Sequence, residues 1–171
     1  GADDTNVIRA LINPNKLKPD YDDKILSVPY EHGFKAGDIF EWCNTDTKWL
    51  ITSQNKTELA YFRGDIRRCN YLIRWLDKEK NQHECYAATR GPVETKINFL
   101  QKNGNSIETP NHSLNILMPK RQDVIEYFKR YSKFYLSSSL FEEDPENLRE
   151  EYQICFRVEA IDWVSTPGVF E

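Results

Sequence analysis

The residue types best suited to catalysis or metal binding are few in this chain: three histidines, His32, His83 and His112, and four cysteines, Cys43, Cys69, Cys85 and Cys155. No two histidines fall at an H-x-x-H or H-E-x-x-H spacing, and no two cysteines form a C-x-x-C pair. Tetrahedral zinc sites draw on such closely spaced ligands, so neither set reads as a metal centre. Each histidine lies near a turn signal and reads as an exposed turn residue. The cysteines read as free thiols, mostly buried or on strands, in a reducing compartment. His83 and Cys85 are two residues apart and share a face if they lie on one strand. A nucleophile–base dyad there would also need an orienting acid, and none is evident from spacing alone. With 27 acidic residues, no carboxylate pair stands out for glycosidase-type chemistry. Phosphate-cradling motifs of the G-x-x-x-x-G-K-[ST] or G-x-G-x-x-G type are missing. Asn55-Lys56-Thr57 and Asn111-His112-Ser113 match the glycosylation sequon. Without a secretory context they read as chance matches.

The arginines are more suggestive. Arg63, Arg67, Arg68 and Arg74 crowd one stretch and are interleaved with Tyr61, Phe62 and Tyr71. Cations alternating with aromatics on a small barrel suit single-stranded nucleic acid, since every base has a stackable face and every linkage a charge. Salt bridging to acids of the same or an adjacent subunit is the competing reading. The chain's formal net charge of −4 favours it, because a strongly basic balance is the usual footprint of a nucleic-acid coat. The four arginines are therefore candidates for an interface or for a channel that faces DNA.

Those side chains need elements to position them, and the pattern is mainly β. Aromatic residues make up 13% of the 171 residues, enough to supply one core. No apolar run is long enough to cross a bilayer, and no export signal is visible at the start. The stretch from Gly37 to Asp77 holds three of the four tryptophans. Within it, Ile39–Trp42 and Trp49–Ile51 flank the polar turn Asn44-Thr45-Asp46-Thr47, a hairpin signature. A third run through Tyr61 and Ile66 is interrupted by Gly64-Asp65. Asn70–Trp75 alternates, placing Tyr71, Ile73 and Trp75 on one face, and Cys85–Thr89 returns beside it after a charged turn. Lys96–Leu100, Ser106–Thr109 and Ser113–Met118 continue the β pattern. Asn103-Gly104 marks a hairpin turn, and Pro110 and Pro119 act as punctuation.

Only residues 121–131 change period. Val124, Ile125, Phe128 and Tyr131 recur at helical spacing, with acids early and cations late as the helix dipole favours. This predicts one amphipathic helix capping an open end of the barrel. Strands follow at Lys133–Leu136 and Gln153–Glu159. Residues 141–151 read as an exposed acidic excursion. Asn13–Tyr30 carries Pro14, Pro19 and Pro29 and reads either as an extended arm or as a surface loop on its own domain. Val169–Glu171 starts a strand where the chain stops, which suggests a trimmed chain or a strand completed by another subunit. The domain plan is thus an N-terminal arm, 1–35, and a β-barrel domain, 36–171.

Several of these segments together resemble a known family. Gly37-Asp38-Ile39-Phe40-Glu41-Trp42, Trp49-Leu50-Ile51, Cys69-Asn70-Tyr71-Leu72-Ile73-Arg74-Trp75 and the late Phe156–Asp162 with Pro167-Gly168-Val169 look like the head-closure or head–tail adaptor proteins of tailed-bacteriophage necks. The resemblance covers residues 36–77 and, more loosely, the C-terminal strand. It implies a small SH3-like β-barrel in a virion structural protein, with no catalytic group and no cofactor. It also implies a homo-oligomeric ring that closes the filled capsid and docks the tail. The implied partners are other copies of the chain, the portal or adaptor, tail-completion proteins and packaged DNA in the channel, with no membrane. The alternative from the residues themselves is a small barrel that binds nucleic acid through Arg63, Arg67, Arg68 and Tyr71.

Overall fold

Alternating apolar residues set the strands. The computed structural model describes residues 7–16, 22–55, 60–89, 94–102, 105–138, 154–162 and 168–170. The acidic excursion expected at 141–151 lies outside them. Five strands form the first sheet: β1 (Leu11–Pro14), β2 (Asp23–Pro29), β3 (Ile39–Trp42), β4 (Thr47–Ile51) and β5 (Tyr61–Arg68), in the order β1-β2-β5-β4-β3. Next in the chain come β6 (Tyr71–Leu76), β7 (Gln82–Thr89), β8 (Glu94–Lys102), β9 (Asn105–Ser113) and β10 (Ile116–Pro119). The helix α1 (Gln122–Tyr127), β11 (Lys133–Ser138), β12 (Ile154–Arg157) and β13 (Val169–Phe170) complete it. The second sheet has the order β12-β11-β6-β7-β10-β13, and among the described residues β8 pairs only with β9. The fold is mainly β, as expected: two curled antiparallel sheets, one of them a half-barrel, and a single short helix among the described residues.

Each sheet buries one face. Leu26, Val28, Trp49, Ile51 and Ile66 form the core of the first. The second is built around Ile73, Trp75, Met118, Val124, Phe128 and Phe134. Leu50, Cys69, Ala88 and Leu117 pack where the sheets meet. Trp49, Leu50 and Ile51 are therefore all buried, because β4 is covered on both sides. A strand covered on both sides reads as a continuous apolar run instead of an alternating one.

Several expectations are corrected. Residues 23–29 are neither an arm nor a surface loop: β2 runs the length of β5, with Asp23 opposite Arg67 and Pro29 opposite Tyr61. Pro14 and Pro29 are the last residues of β1 and β2, positions where a missing N–H costs the ladder little. Gly64 does not interrupt β5. It is buried, and a Cβ there would run into the Ser53 carbonyl oxygen, so glycine permits the close approach of a neighbouring backbone. Pro110 does not punctuate a strand either, since it sits within β9 opposite Ile97. In a two-stranded ribbon every strand is an edge, and an edge tolerates proline.

The helix is half the expected length. It ends at Tyr127, with Phe128 extended and its N–H bonded to the Val124 carbonyl. Val124 and Phe128 are buried, whereas Ile125 and Tyr131 are 40% and 54% exposed. The last strand does not dangle: Phe170 pairs with Met118 and Val169 with Pro119 of β10. Gly168 (φ +81) and Gly37 (φ +96) cross so closely there that a Cβ on either would meet the other segment's backbone.

Candidate functional site

The four arginines do not make one surface. β5 and β6 are consecutive in sequence but belong to different sheets, so they are not a hairpin. Arg63 is exposed on the outer face of the first sheet. Arg68, opposite Trp49, lies on the other face. Arg74 is on the second sheet, opposite Glu84 and 3.5 Å from its carboxylate. Arg67 is a structural clamp. Its guanidinium sits 2.6 Å from Asp23, with side-chain exposures of 11% and 13%, and its Nε–H donates to the Thr89 carbonyl at the end of β7. Asn70 reinforces the same junction by donating to Asp22 and Thr89. The chain crosses from one sheet to the other at Cys69-Asn70, and these polar contacts fix the crossing.

The Cys85–His83 pair also resolves. An orienting acid does exist and sequence spacing did not reveal it: His83 Nε2 lies 2.9 Å from Asp77 Oδ2. The His83 ring stacks on Trp75 at 5.5 Å. Cys85, however, is 2% exposed, and burial pushes its thiol up to about 11, the reverse of nucleophile activation. Burial likewise pushes Cys69 up to about 12. Among the described residues no three His, Cys, Asp or Glu side chains are grouped to hold a metal, and no helix is long and apolar enough to cross a membrane.

Asp77 has a different task. The hydrogen bond from His83, then those from the Asn81 side chain and the backbone N–H groups of Asn81 and Glu79, hold its carboxyl down at about 2. It thereby organises the turn between β6 and β7. A carboxylate depressed by folding adds stability above its unfolded value and loses it as pH falls through the folded one. The turn should therefore loosen as pH drops from 3.8 towards 2. A carboxyl titration by NMR is expected to show the low midpoint. Asp77→Asn should speed amide exchange at Glu79 and Asn81 at neutral pH. A midpoint at the ordinary carboxylate value would sink this assignment.

Two features remain that could engage something outside the chain. The first is the β8–β9 ribbon, two strands of nine residues joined in register from Glu94–Ser113 to Lys102–Asn105. It emerges between Thr89 and Ile116, which themselves pair, so it is an insertion at the tip of a hairpin. At about 3.3 Å per residue it spans roughly 30 Å.

The second is a cationic and aromatic surface assembled from α1's exit, β11 and β12. Lys133 and Tyr135 point to solvent from β11, while Phe134 and Leu136 point inward. Arg157 is the register partner of Lys133, and Arg74 that of Tyr135. Beside this row stands Tyr131, with the Arg130 and Arg157 guanidinium carbons 4.9 Å and 5.3 Å from its ring centre. Its backbone is at φ 73, rare for a bulky residue. Hydrogen bonds hold it there: Tyr131 N–H donates to Val158 O, Val158 N–H to Ser132 O, Ser132 Oγ–H to Tyr127 O and Tyr127 OH to Lys133 O. An open groove of about 630 Å³ adjoins, lined by apolar Ile125, Phe128, Ala160 and Ile161 and by charged Lys129, Arg130 and Glu159. Sequence spacing missed this surface because its parts lie on three segments. The signal within reach was Lys129-Arg130-Tyr131, assigned instead to a helix.

Compared with known proteins, the chain matches no family model, no curated protein and no solved structure.

Proposed function

We propose that the protein is a non-enzymatic structural subunit that assembles with copies of itself, as a ring-forming connector in the neck of a tailed-bacteriophage virion. The observation that carries the assembly part is the β8–β9 ribbon. A two-stranded hairpin alone is marginally stable in water, and no third strand among the described residues pairs with either β8 or β9. A ribbon of nine-residue strands is therefore suited to finding its third strand or packing face on a neighbour. Among the described residues the first sheet also ends at an edge, β3, and the N–H and C=O groups of a sheet edge are a template for another chain. A ribbon of one copy laid on a different surface of the next is a heterologous contact, which closes into a ring when the rotation allows. The neck assignment is supported by the sequence resemblance. The residues that carry it between 36 and 77 fall on β3, β4, the crossing at Cys69-Asn70 and β6.

Because Thr89 and Ile116 are already opposite each other, residues 90–115 can be replaced by an Asn-Gly turn without breaking the hairpin beneath. Light scattering over a range of concentration is expected to show the full chain climbing to a closed oligomer. The shortened chain should stay monomeric with its melting temperature nearly unchanged. A full chain that remains monomeric throughout would overturn the reading, as would a shortened chain that assembles equally well.

A further inference from the structure

We infer that the surface formed by Tyr131, Tyr135, Arg130, Lys133 and Arg157 binds single-stranded nucleic acid, with the two tyrosines stacking bases and the three cations holding phosphates. This goes beyond the assembly role and does not depend on it. The site also differs from the arginines of β5, one of which, Arg67, is committed to Asp23.

Charge is the first argument. The chain as a whole is acidic, at −4, yet Lys129, Arg130, Lys133, Arg157 and Arg74 converge here. Among the described residues, Glu159 accepts from the Nε–H and Nη2–H of Arg157 at 3.0 Å and 2.6 Å, and Glu84 lies 3.5 Å from Arg74. Cations segregated against the sign of the whole molecule favour a polyanion.

Aromatic exposure is the second argument. Tyr131 and Tyr135 are 54% and 38% exposed, whereas Tyr71, Phe134 and Phe156 of the same sheet pack against its core. An acidic peptide would use the cations and leave the exposed Tyr135 ring idle. A base uses both, since stacking on tyrosine is sequence-tolerant and its linkage supplies the charge. Guanidinium groups already resting on the Tyr131 ring add their own planes for stacking.

Pre-organisation is the third. Tyr131 is held at positive φ by a closed set of hydrogen bonds. Backbone strain of this sort persists where surrounding structure enforces it, commonly at binding sites. The backbone that presents the ring is thus set before binding. Duplex DNA fits poorly, because its base faces are occupied by stacking on one another.

The test uses the full chain and a labelled oligodeoxythymidylate of about 12 nucleotides, within the site sizes of small barrel binders, read by fluorescence anisotropy. Binding is expected at low salt, with log K falling against log salt at a slope of about −2, as three phosphate contacts on a single strand require. Tyr135→Ala should weaken binding roughly tenfold or more, the usual worth of one stacked base. Tyr131→Asn should do the same, asparagine being chosen because it tolerates positive φ. Arg130→Gln and Lys133→Gln should each reduce the slope by about 0.7. Arg63→Gln, on the other sheet, should leave binding unchanged. Thermal melts confirm that each variant is folded, and Tyr135→Ala alone carries the test if Tyr131→Asn is not. Absence of binding at low salt overturns the inference. So does equal affinity for a duplex of the same length, or loss of binding in Arg63→Gln with none in folded Tyr135→Ala. These readouts are separate from oligomer mass, so failure here leaves the assembly reading standing, and the reverse.

Discussion

Trp75→Ala is expected to cost about 3–5 kcal/mol, the usual range for emptying a buried aromatic site. Trp75 is 1% exposed. It is the seat of the helix: Tyr127 and Phe128 lie 5.7 Å and 5.1 Å from its ring, and His83 stacks at 5.5 Å. Removing the indole leaves a void beneath α1 that neighbouring β-strand side chains, fixed by their register, cannot fill. Single domains are stable by only about 5–15 kcal/mol, so the variant should lose a large share of its stability. Urea denaturation followed by far-ultraviolet circular dichroism checks this, and avoids the fluorescence of the remaining tryptophans. Trp75→Phe should lose much less, since it keeps the ring contacts to Phe128 and most of the volume. A midpoint for Trp75→Ala shifted by less than about 1 kcal/mol would mean that the second core is not packed around this residue.

The same residue shows what was legible in the sequence. Tyr71, Ile73 and Trp75 alternate, and the two-residue period of a strand puts them on one face. That alternation alone locates β6 and its inward side, as the Asn44–Thr47 turn locates the hairpin of β3 and β4. The Asn-Gly step likewise falls between β8 and β9, outside the described residues. Less was legible where two signals conflict. β2 carries Lys24, Leu26 and Val28 on one face, but its flanking prolines suggest an arm. Tyr131 continues the spacing of Val124 and Phe128, so periodicity assigns it to a helix. Ser132 ends that helix by accepting the Lys129 N–H and donating to the Tyr127 carbonyl, a local side-chain competition with helical bonding.

The candidate surfaces were less legible than the strands, for a topological reason. Arg63 and Arg74 are close in sequence yet lie on different sheets, whereas Lys133 and Arg157 are far apart in sequence and adjacent in register. Nearness in sequence groups side chains correctly only within a hairpin, and β5 and β6 are not one. The ribbon was visible as two strands and a turn. That among the described residues it pairs with neither sheet depends on the β7–β10 pairing beneath it, which no local pattern encodes.

Arg67 follows from the same topology and gives the second large expected effect. Among four arginines that sequence spacing suggested for binding, it is the one whose loss should destabilise the fold instead of weakening a complex. Arg67→Met keeps much of the apolar stem and removes the guanidinium. It leaves the Asp23 carboxylate facing a largely buried site without its cation and the Thr89 carbonyl without its donor. Breaking one partner of such a pair costs about 3–5 kcal/mol, far more than a surface ion pair is worth. Replacing both partners, Arg67→Met with Asp23→Leu, should restore much of the stability, because the cost lies in the abandoned charge and not in the pair itself. Denaturant midpoints for the two single variants and the double variant measure that coupling. Near-additive losses would mean the two side chains do not depend on each other. Under conditions where Arg67→Met remains folded, its affinity for single-stranded nucleic acid should match that of the parent, which separates a residue that holds the two sheets together from residues that present a surface.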